Sequence, residues 1–110
     1  MPKYLILAAY NDEAWRGMIE TPPDRRGAAA KLADALGGSV ECAYLAFGEF
    51  DLVTIMDLPD EAAAAALSIA VTSTGRVRAV RTHRLLDSSE TEHMFAQAKV
   101  AVGGYEVPGG

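Results

Sequence analysis

The segment AFGEFDLVTIMD, Ala46 to Asp57, places two aromatics, a glycine and two acids around the start of a run that is apolar at almost every position. Phe50 to Leu58 (FDLVTIMDL) reads as a strand, and Ser39 to Phe47 (SVECAYLAF) as another, with little more than Gly48-Glu49 between them. Two such runs so closely spaced predict an antiparallel hairpin. In both, apolar side chains occupy both alternation classes. Val40, Cys42 and Tyr44 alternate with Ala43, Leu45 and Phe47, and Leu52 and Met56 alternate with Val53 and Ile55. A sheet with one wet face shows clean alternation, so this one is expected to be covered on both faces. The acid at the strand's start has two readings. Gly48 can supply a positive φ and Asp51 can accept nearby backbone N–H groups to hold the register; alternatively, the two form the rim of a site.

Working outward, Lys3 to Tyr10 (KYLILAAY) is a short apolar strand ended by Asn11-Asp12, either of which can cap a short helix carrying Ala14, Trp15, Met18 and Ile19. That helix must stop at Thr21-Pro22-Pro23, because a proline disfavours helical geometry in the residue before it. Asp24 then caps a second helix whose Ala29, Leu32, Ala33 and Leu36 form one stripe, closed by Gly37-Gly38 in a position suited to a left-handed cap. Beyond the hairpin, Pro59-Asp60-Glu61 opens an alanine-rich helix that ends at Thr72-Ser73-Thr74-Gly75. Arg76 to Leu86 is a fourth strand, and Ser89-x-x-Glu92 has the capping-box spacing for a last helix through Met94, Phe95, Ala98 and Val102 to Gly103-Gly104. The order predicts an α+β, ferredoxin-like βαββαβ fold with a four-stranded antiparallel sheet and an extra C-terminal helix. Residues 1–104 are expected to form a single domain, with 105–110 as a C-terminal tail.

Composition narrows the classes of function. A chain of 110 residues has room for one core, and 50% hydrophobic residues exclude a disordered chain. No apolar run approaches the ~20 residues needed to cross a membrane, and the N-terminus lacks a secretory pattern, so a soluble, cytoplasmic protein is expected. The single Cys42 reads as a small buried hydrophobe. A net charge of −5 opposes binding to nucleic acid, and no aromatic interleaves with the arginines of the fourth strand.

In the predicted plan both long helices cover one face of the sheet. An apolar opposite face is larger than soluble monomers usually leave exposed, so self-association through that face is expected, as a homodimer or higher homo-oligomer. If ~800 Å² per partner were buried, half of it apolar at ~25 cal/mol per Å², the gain is on the order of 10 kcal/mol per subunit before association costs.

The residues Gly48-Glu49-Phe50-Asp51, with the apolar strand and Leu58-Pro59-Asp60 after them, resemble the signature of the GYD domain family. The opening MPKYLILAAY, the LADALGGSVE segment and RAVRTHRLL are similar to that family as well. Glu49 is an extra residue between glycine and aromatic, and Phe50 stands where the family has tyrosine. The resemblance implies a dimeric α/β barrel, in which two ferredoxin-like sheets pack face to face, and it selects no chemistry. A similar glycine, aromatic, aspartate hairpin occurs in ligand-binding domains of Lrp/AsnC type.

Candidate chemistry rests on few residues. Arg76, Arg78, Arg81, His83 and Arg84 form the densest cationic stretch, with Arg81 and His83 in the alternation class of Val77, Ala79 and Leu85. One reading is an edge strand whose charges discourage further pairing. The sharper one sends Arg81 and His83 into an apolar cavity, the arginine orienting an anion and the histidine moving a proton in a cofactorless oxygenase- or isomerase-like reaction. A small apolar or carboxylate-bearing ligand between sheet and helices is the preferred reading, with Tyr10, Trp15, Tyr44, Glu49 and Asp51 as candidate contacts. A purely structural interaction subunit is the remaining alternative. No spacing of His, Cys or carboxylates suggests a metal site, and no residue argues for a cofactor.

Overall fold

A computed structural model describes residues 1–109; the last residue of the expected tail, Gly110, lies outside the described residues. The elements are β1 (Lys3–Tyr10), α1 (Asp12–Glu20), α2 (Arg25–Ala35), β2 (Ser39–Leu45), β3 (Leu52–Asp57), α3 (Glu61–Ser73), β4 (Val77–Leu85) and α4 (Ser88–Gly104). The strands form one open sheet in the order β2-β3-β1-β4, every neighbouring pair antiparallel. This is the α+β, ferredoxin-like arrangement that the element order implied.

Side chains start each helix. Asn11 accepts from the Ala14 N–H, Asp24 from Gly27 and Asp60 from Ala63, each satisfying a donor that the first turn leaves free. The last helix begins earlier than Ser89-x-x-Glu92 suggests. Its capping box is Asp87 with Glu90: the Asp87 carboxylate accepts from the Glu90 N–H at 2.9 Å, and the Glu90 side chain accepts from the Asp87 N–H at 3.3 Å. Ser89 does not cap because it already lies inside the helix that Asp87 opens, where its hydroxyl donates to Asp87 Oδ1 at 2.8 Å.

The hairpin is wider than expected. β2 stops at Leu45 and β3 starts at Leu52, leaving a loop over 46–51 in which the Ala46 N–H donates to the Asp51 carbonyl at 2.7 Å. Gly48 has no positive φ; among the described residues the left-handed glycines are Gly37 (φ 81°), closing α2, Gly75 (φ 71°), closing α3, and Gly109 (φ 74°) near the C-terminus. A longer loop needs no left-handed residue at Gly48 to reverse the chain.

The register sorts the strands into two faces. Tyr4, Ile6, Ala8 and Tyr10 of β1 lie beside Met56, Thr54 and Leu52 of β3 and beside Arg84, Thr82 and Val80 of β4. This face is covered by helices. Tyr4, Ile6, Met56 and Leu58 pack with Ala29 and Ala33 of α2 and with Ala64 and Leu67 of α3, whose alanines let the helices approach closely. Burial of each large aliphatic here contributes about 1.5–3 kcal/mol. The other face carries Leu5, Leu7, Val53 and Ile55 at its centre, with Cys42 and Tyr44 along the β2 edge and Arg81 and His83 along the β4 edge. No element of the described chain packs over it as α2 and α3 pack over the first.

α4 projects from the body. Phe95 is 68% exposed and Val100 79%. The radius of gyration is 17.6 Å, against about 13 Å for a compact chain of this size. Arg84 anchors its first turn through a 2.5 Å ion pair with Glu90.

Two outcomes are expected. A Cβ at Gly38 would lie 2.0 Å from the Asp57 carbonyl oxygen, so Gly38→Ala should cost about 1–3 kcal/mol or more in urea denaturation. Arg84 holds the Glu90 carboxyl below its usual range, and the Glu90 and Ser89 hydrogen bonds do the same for Asp87. A depressed folded pKa stabilises fully above the unfolded value and is lost as pH falls through the folded one. The first turn of α4 should therefore be firm at neutral pH and fray below roughly pH 4, seen as faster amide exchange at Glu90 and Thr91. In Glu90→Gln, the part due to Arg84 should be absent at every pH.

Candidate functional site

α2 packs over β2 and α3 over β4, and between these helices the middle of the sheet is left partly open. A cleft of about 520 Å³ occupies that space, with α1 along one side. Its floor is Ile6, Ala8, Thr54 and Met56; its walls include Ala29 and Leu32 of α2, Leu67 and Val71 of α3, and Met18 of α1. Small residues at Ala8, Ala14, Gly17, Ala28 and Ala70 leave the volume unfilled. The Thr54 hydroxyl, on the buried floor, donates to the Ile6 carbonyl, so the floor presents little free polarity.

Tyr10 is the post of this cleft. It is 6% exposed, and its backbone N–H donates to Asp51 Oδ2 at 2.9 Å. The Asp51 N–H in turn donates to the Ala8 carbonyl at 2.9 Å, so the 46–51 loop is fastened to the end of β1 by both its backbone and its carboxylate. The Tyr10 hydroxyl accepts from Arg25 Nε at 3.1 Å, and the guanidinium stands 5.7 Å from the ring centroid. Trp15 meets the same ring edge-on at 5.4 Å. The charged lining residues are Glu13, Arg25 and Arg76. Arg76 is paired with Glu13 at 2.7 Å, whereas Arg25 has no carboxylate within ion-pair distance among the described residues.

The residues singled out in the sequence fall into three places. Tyr10 lines the cleft, and Trp15 and Asp51 brace it. Arg81 and His83 lie opposite Leu7 and Leu5 on the uncovered face, exposed, and neither lines the cleft. Their shared alternation class was read correctly, but the class that faces the helices is that of Val80, Thr82 and Arg84. A bulge puts Val77 opposite Tyr10, so Val77 joins the cleft lining instead of sharing the face of Arg81. Arg81 rests over the Phe50 ring at 5.8 Å. Tyr44, opposite Val53, is 67% exposed on the same uncovered face. Glu49 is exposed in the loop, where its carbonyl accepts from Arg78 Nη2 at 3.1 Å. Arg25, Arg76 and Glu13 were missed. Their meeting depends on how α1 and α2 cross the sheet, which no local pattern records. Among the described residues no group of three or more His, Cys, Asp or Glu side chains could hold a metal ion.

A four-stranded antiparallel sheet with helices on one face and a cleft beneath them defines a small ferredoxin-like α+β domain. FFRP-DM1 has this fold: its crystal structure superposes with a TM-score of 0.52 at 18% identity, over 78% of this chain and all (100%) of that one. MtbAldR matches with a TM-score of 0.53 at 13% identity, over 79% of this chain and 52% of that one. At these identities the likeness shows the fold alone. No curated protein sequence matches the chain. The model of the GYD domain matches residues 4–95, and the chain belongs to the GYD domain family.

The Asp51 carboxylate is expected to hold the cleft's post in place. Asp51→Ala leaves the buried Tyr10 N–H without its acceptor and should cost about 1–3 kcal/mol, read from the urea midpoint. Asp51→Asn keeps an acceptor oxygen and should lose less.

Proposed function

We propose that this GYD domain is a self-associating, cytoplasmic domain that binds a small, largely apolar molecule in the cleft between sheet and helices. The observation that carries the reading is the cleft itself, about 520 Å³ with an apolar floor and charged groups confined to its lining near α1 and α2. Ligand sites of 300–1,000 Å³ are commonly built this way, from apolar walls and a few placed polar groups. Among the described residues no helix is long and apolar enough to cross a membrane.

Self-association is supported by two apolar surfaces without a cover in the described chain. One is the sheet face centred on Leu5, Leu7, Val53 and Ile55; the other is α4, with Phe95, Val100 and Val102 exposed. An isolated helix of this length is marginal in water, so α4 gains from a partner. A second copy offers complementary surfaces of the same kind. The enzymatic alternative, with His83 as proton acceptor and Arg81 orienting an anion, draws less support, because both are exposed on the face away from the cleft.

Native mass spectrometry of the protein as purified tests both parts. The expected result is a dimer or higher homo-oligomer carrying a small molecule. Ile55→Lys, placed between Leu5 and Cys42 on the uncovered face, should give a folded monomer by light scattering. A wild-type protein that is monomeric at micromolar concentration contradicts the association.

A further inference from the structure

On the reading that the cleft binds a small molecule, we infer that its ligand is an amphipathic monocarboxylate, whose carboxylate is anchored by Arg25 and the Tyr10 hydroxyl. In a chain of net charge −5, the cleft lining carries one more positive than negative side chain. Arg76 is neutralised by Glu13, which leaves the excess charge on Arg25. Arg25 is half-buried, and its Nε is spent on the Tyr10 oxygen. Its two Nη groups have no hydrogen-bond partner among the described residues, and they form the fork that takes a carboxylate with two parallel bonds.

Tyr10 completes the anchor. Its oxygen accepts from Arg25, so its own proton is free to donate to a ligand oxygen next to the guanidinium. The group is fixed before any ligand arrives. Asp51 holds the Tyr10 backbone, Trp15 abuts the ring, and the Tyr10 ring supports the guanidinium. A post ordered in this way loses little side-chain freedom on binding.

The same features restrict the ligand. Ile6, Met56, Leu67 and Val71 offer only apolar surface to the rest of the molecule. A second negative charge would meet no second unpaired cation in the cleft, and an uncompensated charge in apolar surroundings is costly. The ligand class is therefore an alkyl or aryl body with one carboxylate at its end.

Calorimetric titration of the full chain with decanoate and with 1-decanol, at pH 7.5, separates the anchor from the cleft. Decanoate should bind about tenfold tighter or more, as one charge-assisted pair implies. Arg25→Met should remove that preference, so that decanoate and decanol bind alike, and Tyr10→Phe should reduce it by a few-fold. Val71→Trp, which fills the cleft, should weaken both probes; circular dichroism checks that each variant is folded. Equal binding of the two probes by the wild type overturns the carboxylate anchor and leaves the cleft reading standing. A preference that survives in Arg25→Met overturns the assignment to Arg25. If neither probe binds, both the anchor and the cleft reading fail.

Discussion

A strand that is apolar on both sides has to be covered twice, and most of this molecule follows from that constraint. β1 and β3 supply Ile6 and Met56 to one face, joined by Leu58 just past β3, and Leu5, Leu7, Val53 and Ile55 to the other. Of the helices, α2 and α3 both pack on the first face. The second has no comparable cover among the described residues, and α4 extends away from the body. The proposed binding and the proposed self-association would use opposite sides of the same four strands.

The covered face is not filled. α2 and α3 sit over opposite edges of the sheet, and the alanines that let each approach closely also leave the middle under-packed. In a core optimised for stability alone, larger side chains would occupy that space, since unfilled volume costs contacts. The cleft is instead furnished with an ordered tyrosine and an arginine without a carboxylate partner. Asp51 connects this furnishing to the hairpin: one carboxylate fixes the loop, the end of β1 and the backbone of Tyr10.

The fold was readable because it rests on local signals. Asp24 caps as expected, Asn11 rather than Asp12 takes the first cap, Asp60 caps within the expected Pro59-Asp60-Glu61 start, and Gly37 closes α2 in the left-handed conformation. The errors were local too: Asp87 outcompetes Ser89 as a cap, and the hairpin loop is longer than Gly48-Glu49 alone. The site was only partly readable. Alternation showed that Arg81 and His83 share a face but gave no means of telling which face the helices cover. Tyr10 and Asp51 were singled out from the strand end and the hairpin, but the hydrogen bond that joins them spans 41 positions of sequence and had no local signal. Arg25 reaches Tyr10 only through the crossing of α2 over the sheet, a tertiary fact without a sequence signature.

The division of labour between the two faces is most directly tested by mapping amide chemical shifts in the 15N-labelled protein as decanoate is added. The structure predicts that Tyr10, Met18, Arg25 and Val71 shift with a common saturation curve while Leu5, Ile55 and His83 stay in place. Shifts concentrated on Leu5, Ile55 and His83, with the cleft residues unmoved, would contradict it.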